Sequence, residues 1–394
     1  MDVLFILLLL FLFNQVLFSS LAIKHSFFDK KLMQKLFFYH LLFAAIYYIY
    51  ALNNPSDSHH YYELAIEIGP EWPTLFETGT KFISYLAAPM AQSGISYEGV
   101  MLIFSWFGYI GFVYAYLFFR DNIPLNITVF KRFDLLTLIL FFPNMHFWSV
   151  SLGKGTVIFM GLMLFVYAVR FPQKRLIPLL LGGFLVYMVR PHVMLFVLLG
   201  VMVGLLMGKE RISKGVKFLI IVASVGFLIA ARSSILAVAN LEGSEDVLND
   251  FESFADAQSD RLSSSGSGVA MSGYPLPLKL FTFWFRPLFV DSPGILGLFS
   301  SAENFIYLLL FLKIINKRFV RFIRQAPYMV KMSAITFLLA SFAMTFVMSN
   351  LGIIMRQKSM VMYFGFFVIY YFLAQEKFDQ ENLKQQQAQA AVNL

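Results

Sequence analysis

The sequence predicts an all-α fold, a polytopic transmembrane helix bundle of about 10–11 spans with two long outer loops. Three observations carry that expectation. Hydrophobic residues make up 59% of the 394 positions and charged residues only 14%. An average soluble domain is nearer half apolar and a quarter charged. Mean hydropathy is +0.70, and apolar runs long enough to cross a hydrocarbon core recur along the chain, with Lys and Arg gathered in every second connection.

Taken in order, the clear runs are 3–22, 36–53, 99–119, 156–171, 193–208, 217–238, 297–315, 329–349 and 359–374. Two shorter ones lie at 133–149, ending in a polar stretch, and at 175–190, ending at Arg190-Pro191. Helices that stop early at proline or a polar cluster tend to line a cavity, because lipid cannot satisfy freed backbone groups. The first run follows Asp2 and has no basic flank, so it reads as an uncleaved helix and not as a signal peptide. The resulting organisation is one transmembrane domain, 1–375, with outer loops at about 53–98 and 240–277 and a polar, frayed cytoplasmic tail at 376–394. Within the first loop Leu75 to Met90 reads as an interfacial stretch; the second is acidic, then Ser/Gly-rich from Arg261 to Gly273. No internal or inverted repeat is visible.

An N-terminus outside places 22 of the 31 Lys and Arg in cytoplasmic segments, and the alternation holds loop by loop. The net charge of +8 is therefore a topology signal, and nucleic acid has no place in it. Cysteine is absent, which excludes disulfides, thiolate catalysis and zinc–thiolate sites.

The remaining polar residues sort to the outer face. Asp57, His60 and Tyr61 open the first outer loop; His146, Trp148 and Lys154 lie between the fourth and fifth spans; Arg190 and His192 mark the next outer turn. Arg286 follows the large loop, and Arg356 with Lys358 forms the last outer turn. Lys154, Arg190, Arg286 and Arg356 run against the topological trend, each at a helix end, and charge at a membrane edge is costly enough to mark function. Cations converging on one cavity suit a phosphate or diphosphate; the alternative is that each snorkels to headgroups or caps a helix C-terminus. Asp57 is the candidate general base, or the N-cap of a helix running through Ile68. No cofactor motif is present. Asp57 with His60, at i, i+3, is a pair able to touch a divalent ion, and nothing else supports a metal.

The order of these motifs resembles a known group. Asp57-Ser58-His59-His60-Tyr61-Tyr62-Glu63-Leu64-Ala65 resembles the Asp…Tyr…Ala element opening the first large outer loop of bacterial polytopic glycosyltransferases. Phe142-Pro143-Asn144-Met145-His146-Phe147-Trp148-Ser149, leading to Gly153-Lys154, looks like the Pro-Ser-x-x-Phe-Trp-Ser…Gly-Lys-Asp stretch of O-antigen and exopolysaccharide polymerase-like proteins. Arg286-Pro287-Leu288 with Glu303-Asn304, and Asn350 with Arg356-Gln357-Lys358, resemble later elements. The sequence departs at Gly155, where that pattern places an acidic residue.

The resemblance implies a multi-pass enzyme of the bacterial inner membrane, N-terminus outside and C-terminus cytoplasmic. Its substrate would be a polyprenyl-phosphate- or diphosphate-linked sugar or glycan, bound beside the lipid bilayer, with partners in a glycan assembly system. Asp57 would act as base and the cations would stabilise the leaving phosphate; His60, Tyr61, His146, Trp148, His192 and Lys358 complete the expected site. A transporter or flippase of lipid-linked glycans, or a non-catalytic envelope protein, remains an alternative. The nearly clean spans favour a one-sided site over a transport path.

Overall fold

The computed structural model describes residues 2–209, 213–233, 273–292, 294–347 and 350–392, with the single positions 257 and 268. Most of the second expected outer loop, 240–277, lies outside them. The described chain is almost entirely helical, apart from a two-stranded hairpin, β1 Thr128–Val129 and β2 Phe133–Asp134, paired antiparallel.

The first apolar runs form α1 Asp2–Lys24 and α2 Lys30–Asn53. Asp29 separates them because its carboxylate caps α2, accepting from the Leu32 amide at 3.0 Å. Both helices turn a broad apolar face outward: Leu4, Leu8, Leu12 and Val16 on α1, and Phe38, Leu42 and Ile49 on α2, are exposed. The first loop folds as α3 Asp57–Glu67 and α4 Thr80–Gln92. α5, Tyr97–Asn122, follows and is largely enclosed, with Tyr109, Phe112 and Tyr116 fully buried.

The 133–149 run does not form one helix. α6 Leu135–Leu140 stops before Pro143, and α7 Pro143–Phe147 follows the break, since proline lacks the amide that would continue the ladder. α8 Lys154–Val169, α9 Leu176–Val189 and α10 Pro191–Met207 come next, then α11 Lys214–Ala230. Past the undescribed stretch stand α12 Leu276–Phe285, α13 Gly294–Leu312, α14 Lys317–Gln325, α15 Tyr328–Val347 and α16 Leu351–Val392. α8 packs between α5 and α9, and α10 against α15. Small residues permit the second contact: a Cβ on Gly204 would stand 2.8 Å from the Tyr328 carbonyl oxygen.

Among the described residues four helices are long and apolar enough to cross a membrane, five if the bent pair α13–α14 counts as one, and six further apolar helical stretches, with Leu135–Phe147 taken across its break as one, span 10–17 residues. The bend between Gly297–Leu312 and α14 is 81°. α14 carries Lys317, Arg318, Arg321 and Arg324, while its Phe319 and Phe322 rings meet Phe372 of α16. The expected frayed tail is instead the continuation of α16 to Val392. Its Gln, Ala, Glu and Lys residues are good helix formers, and Gln375 pairs with Asp379 at 2.9 Å.

Alternate connections meet at opposite ends of the bundle. At one end the turns near residues 56, 150, 190 and 350 come together. At the other, Tyr167 bonds His25 at 2.9 Å, Arg175 bonds Asp121 at 2.8 Å and Lys377 reaches the Asn126 carbonyl at 3.1 Å.

Candidate functional site

Three chain segments distant in sequence enclose a cavity of about 250 Å³: Tyr47 to Tyr61, Trp148 to Gly155, and Asn350 to Arg356. Ser56 starts the first wall. Its hydroxyl caps α3, accepting from the Ser58 amide at 3.3 Å, so the N-cap is Ser56 and Asp57 is the first helical residue. A hydroxyl chain fixes this turn, from Tyr47 Oη to Ser56 Oγ (3.0 Å), Ser58 Oγ (2.8 Å) and Tyr97 Oη (2.7 Å). Freed from capping, the Asp57 carboxylate reaches across to α16, where Arg356 Nη1 donates to Oδ2 at 3.1 Å. Both partners keep water contact, 63% for Asp57 and 39% for Arg356. Such a pair contributes about 0–1 kcal/mol and exchanges readily with another ion.

Lys154 enters from the second wall, at the start of α8. Arg190, Arg356 and Asp57 all lie within electrostatic reach of it. Arg190, in the turn between α9 and α10, donates Nη1 to Gln357 Oε1 at 2.8 Å, while its buried Nε finds no hydrogen-bond partner among the described residues. An unpartnered guanidinium N–H behind two further cations is a donor set suited to an anion. Tyr61 is buried on the cavity wall, and burial, with Asp57 as second cause, pushes its phenol up to about 12. Tyr61 therefore remains a neutral hydrogen-bonding group at physiological pH.

The second wall depends on Gly155. A Cβ there would stand 2.5 Å from the Trp148 carbonyl oxygen, so the polymerase-like acidic residue has no room at this position without a backbone shift. Trp148 is held from beneath: its indole N–H donates to Asn144 Oδ1 at 3.1 Å, and Asn144 Nδ2 donates to the Met355 carbonyl at 3.0 Å. The buried Glu303 carboxylate accepts from the Asn144 amide at 2.6 Å and from the Tyr307 hydroxyl. Each of these hydrogen bonds contributes about 0.5–1.5 kcal/mol, so Glu303 fastens this turn to α13.

Beside the cavity lies an apolar groove of about 520 Å³ between α2, α7, α13 and α16. Tyr50, Trp148 and Gly352 line both spaces. Leu42 and Phe299 on the groove's flanks are 55% and 64% exposed, so it opens sideways on the outward apolar face.

The structure thus brings Asp57, Tyr61, Trp148, Lys154 and Arg356 onto one cavity, with Arg190 adjacent. Five other expected residues lie off its lining. His60 is exposed on α3. His146 is fully buried against His40. His192 is largely enclosed, and its Nδ1 lacks a partner among the described residues. Arg286 is paired with Asp291. Lys358 lies inside α16, donating to the Arg286 carbonyl and to Asn304 Oδ1, both at 2.7 Å. Tyr47, Ser56 and Ser151 contribute without having been assigned a role, because such residues at turns are too common to stand out. Asn350 and Gln357, read only as parts of a late motif, gain a place on the lining and as the partner of Arg190. Among the described residues no cluster of three or more His, Asp or Glu is placed to hold a metal ion.

No family model, curated protein or solved structure matches this chain.

Proposed function

We propose that this chain is a membrane-embedded glycosyltransferase or polysaccharide polymerase that takes its sugar or glycan from a polyprenyl-phosphate-linked donor on the outer face of the bacterial inner membrane. The observation that carries the reading is the shared rim of Tyr50, Trp148 and Gly352. It joins a cavity holding one carboxylate and two cations to an apolar groove open on the side. A lipid-linked phosphate needs that combination: room for a hydrocarbon chain in contact with bilayer, and cations at its head.

The outward apolar faces of α1 and α2, and the gathering of alternate connections at opposite ends, support a multi-pass arrangement with the cavity outside. They also support a cytoplasmic α14 lying along the membrane surface, its Lys and Arg towards headgroups. In the reaction, the acceptor hydroxyl oxygen bonds to the donor's anomeric carbon as the bond from that carbon to phosphate oxygen breaks. The bonding pair leaves with the phosphate, and the hydroxyl proton passes to Asp57. Lys154, Arg190 and Arg356 stabilise the charge accumulating on the leaving group. The weak Asp57–Arg356 pair suits this sequence of events, because an arriving phosphate competes for the guanidinium and releases the carboxylate.

A transporter of lipid-linked glycans is the second reading, favoured by the buried Glu303 and Lys358. Deleting the gene and following surface glycan by chain length separates the two. Loss of a polymerase leaves single units on the outer surface, whereas loss of a transporter leaves none. Restoration with Asp57→Asn or Arg356→Ala should reproduce the deletion's short glycan; full-length glycan from both variants would overturn the enzymatic reading.

A further inference from the structure

A fully enclosed polar contact joins two histidines from different parts of the chain. His40 of α2 is 1% exposed and His146 of α7 is fully buried. Their Nδ1 atoms face each other at 2.8 Å. The outer nitrogens are also engaged, His40 Nε2 with the Ser105 carbonyl oxygen at 2.9 Å and His146 Nε2 with the Leu140 carbonyl oxygen at 2.7 Å.

Each of these three contacts is at hydrogen-bonding distance and needs one hydrogen. Neither carbonyl supplies one. Two neutral imidazoles carry two N–H groups between them, so any neutral arrangement leaves one contact with lone pairs facing each other. We infer that His40 and His146 bind three protons, one on each Nε2 and one shared between the Nδ1 atoms, and so form a single buried cation.

Burying a charge is costly unless its surroundings compensate, and three kinds of contact offset that cost here. The two carbonyl bonds become charge-assisted. The Phe112 ring lies flat on His146, centroids 4.0 Å apart and planes 3° from parallel, and Phe112 also stands edge-on to His40 at 5.4 Å. A cation over a ring face is attracted by the ring quadrupole. Tyr39 meets His146 at 4.8 Å, and Phe43 at 5.8 Å. The titratable side chains facing the pair are Tyr39 from α2 and Tyr109 from α5, with Tyr363 of α16 behind Phe112.

The bound proton ties α2 and α5 to the α6–α7 turn. Two residues beyond His146 that turn presents Trp148 to the cavity and groove. The pair is therefore a proton-binding clamp beneath the site, and the inference is independent of any particular reaction there.

The test uses the full chain in lipid nanodiscs, with His25, His59, His60 and His192 changed to Gln and the remaining two histidines labelled with ¹⁵N. The expected spectrum at pH 7 has a proton on each Nε2 and a scalar coupling between the two Nδ1 atoms across the shared proton. Adding His40→Gln should abolish that coupling. A spectrum in which both rings are neutral, with one Nε2 bare, would overturn the inference, and because the pair itself is unaltered this reading needs no destabilised variant.

Discussion

Gly155→Ala adds a single methyl group on the cavity wall. Its Cβ would stand 2.5 Å from the Trp148 carbonyl oxygen, where ordinary contacts begin at 3.4 Å. A main-chain atom must therefore move by about 0.9 Å, and Trp148 is already anchored to Asn144. Overpacking of this kind costs about 1–3 kcal/mol. Against it, Gly→Ala within a helix returns about 0.5–1 kcal/mol. At mid-range the contact wins, leaving a net loss of about 1 kcal/mol and a fall in Tm of roughly 1–2 °C. Thermal unfolding in one detergent checks this, with Gly226→Ala of α11 as control, because a Cβ there meets nothing within 4 Å. The control should keep or slightly raise the Tm. An unchanged Tm for Gly155→Ala would refute the packing argument, and restored stability with Gly155→Asp would show that the wall accepts the acidic residue after all.

Arg356→Lys should retain charge at the cavity but lose two-point phosphate contact, raising the KM for donor by about tenfold, or about 1.4 kcal/mol, with little change in Tm; donor titration reads it. Glu303→Ala strands the Asn144 amide and the Tyr307 hydroxyl in the interior, and should cost about 2–6 kcal/mol for two unmet partners, whereas Glu303→Gln should cost less; thermal unfolding compares them. Gly204→Leu forces α10 away from the Tyr328 backbone and should lower folded yield far more than Gly226→Leu. A cysteine at Ser264, outside the described residues in this Cys-free chain, should react with an impermeant thiol reagent on intact cells, and protection would reverse the orientation.

Apolar length placed most of the helices because it measures what a helix buries, and Arg190-Pro191 announced the end of one short run, whereas the other looks unbroken by apolar length and is interrupted at Pro143. Side-chain direction was less legible. His146 and Trp148 are two residues apart, which on a helix separates them by about 200°, so one goes to the interior and the other to the cavity. Lys358 looked like a residue of the last outer turn, and Glu303 stood inside an apolar run as part of a late motif. Their burial rests on partners at Asn144, Asn304 and the Arg286 carbonyl, and pairing over 159 positions leaves no local pattern. The four cations were expected to act alike, yet Asp291 claims Arg286 while Arg190 keeps an unpartnered N–H. Gly155 looked like a departure from a motif and is a packing requirement.

The central claim is that one cavity, cationic and carboxylate-bearing, acts on a lipid-linked phosphate admitted through the adjoining groove. Purified chain in proteoliposomes, supplied with polyprenyl-diphosphate-linked glycan units, tests it most directly through the release of the lipid carrier as the glycan lengthens. Wild-type protein should release carrier in step with chain growth, Asp57→Asn and Arg356→Ala should release little, and Trp148→Ala should need more donor. Donor that remains intact with wild-type protein, or equal release by all four, would contradict the account.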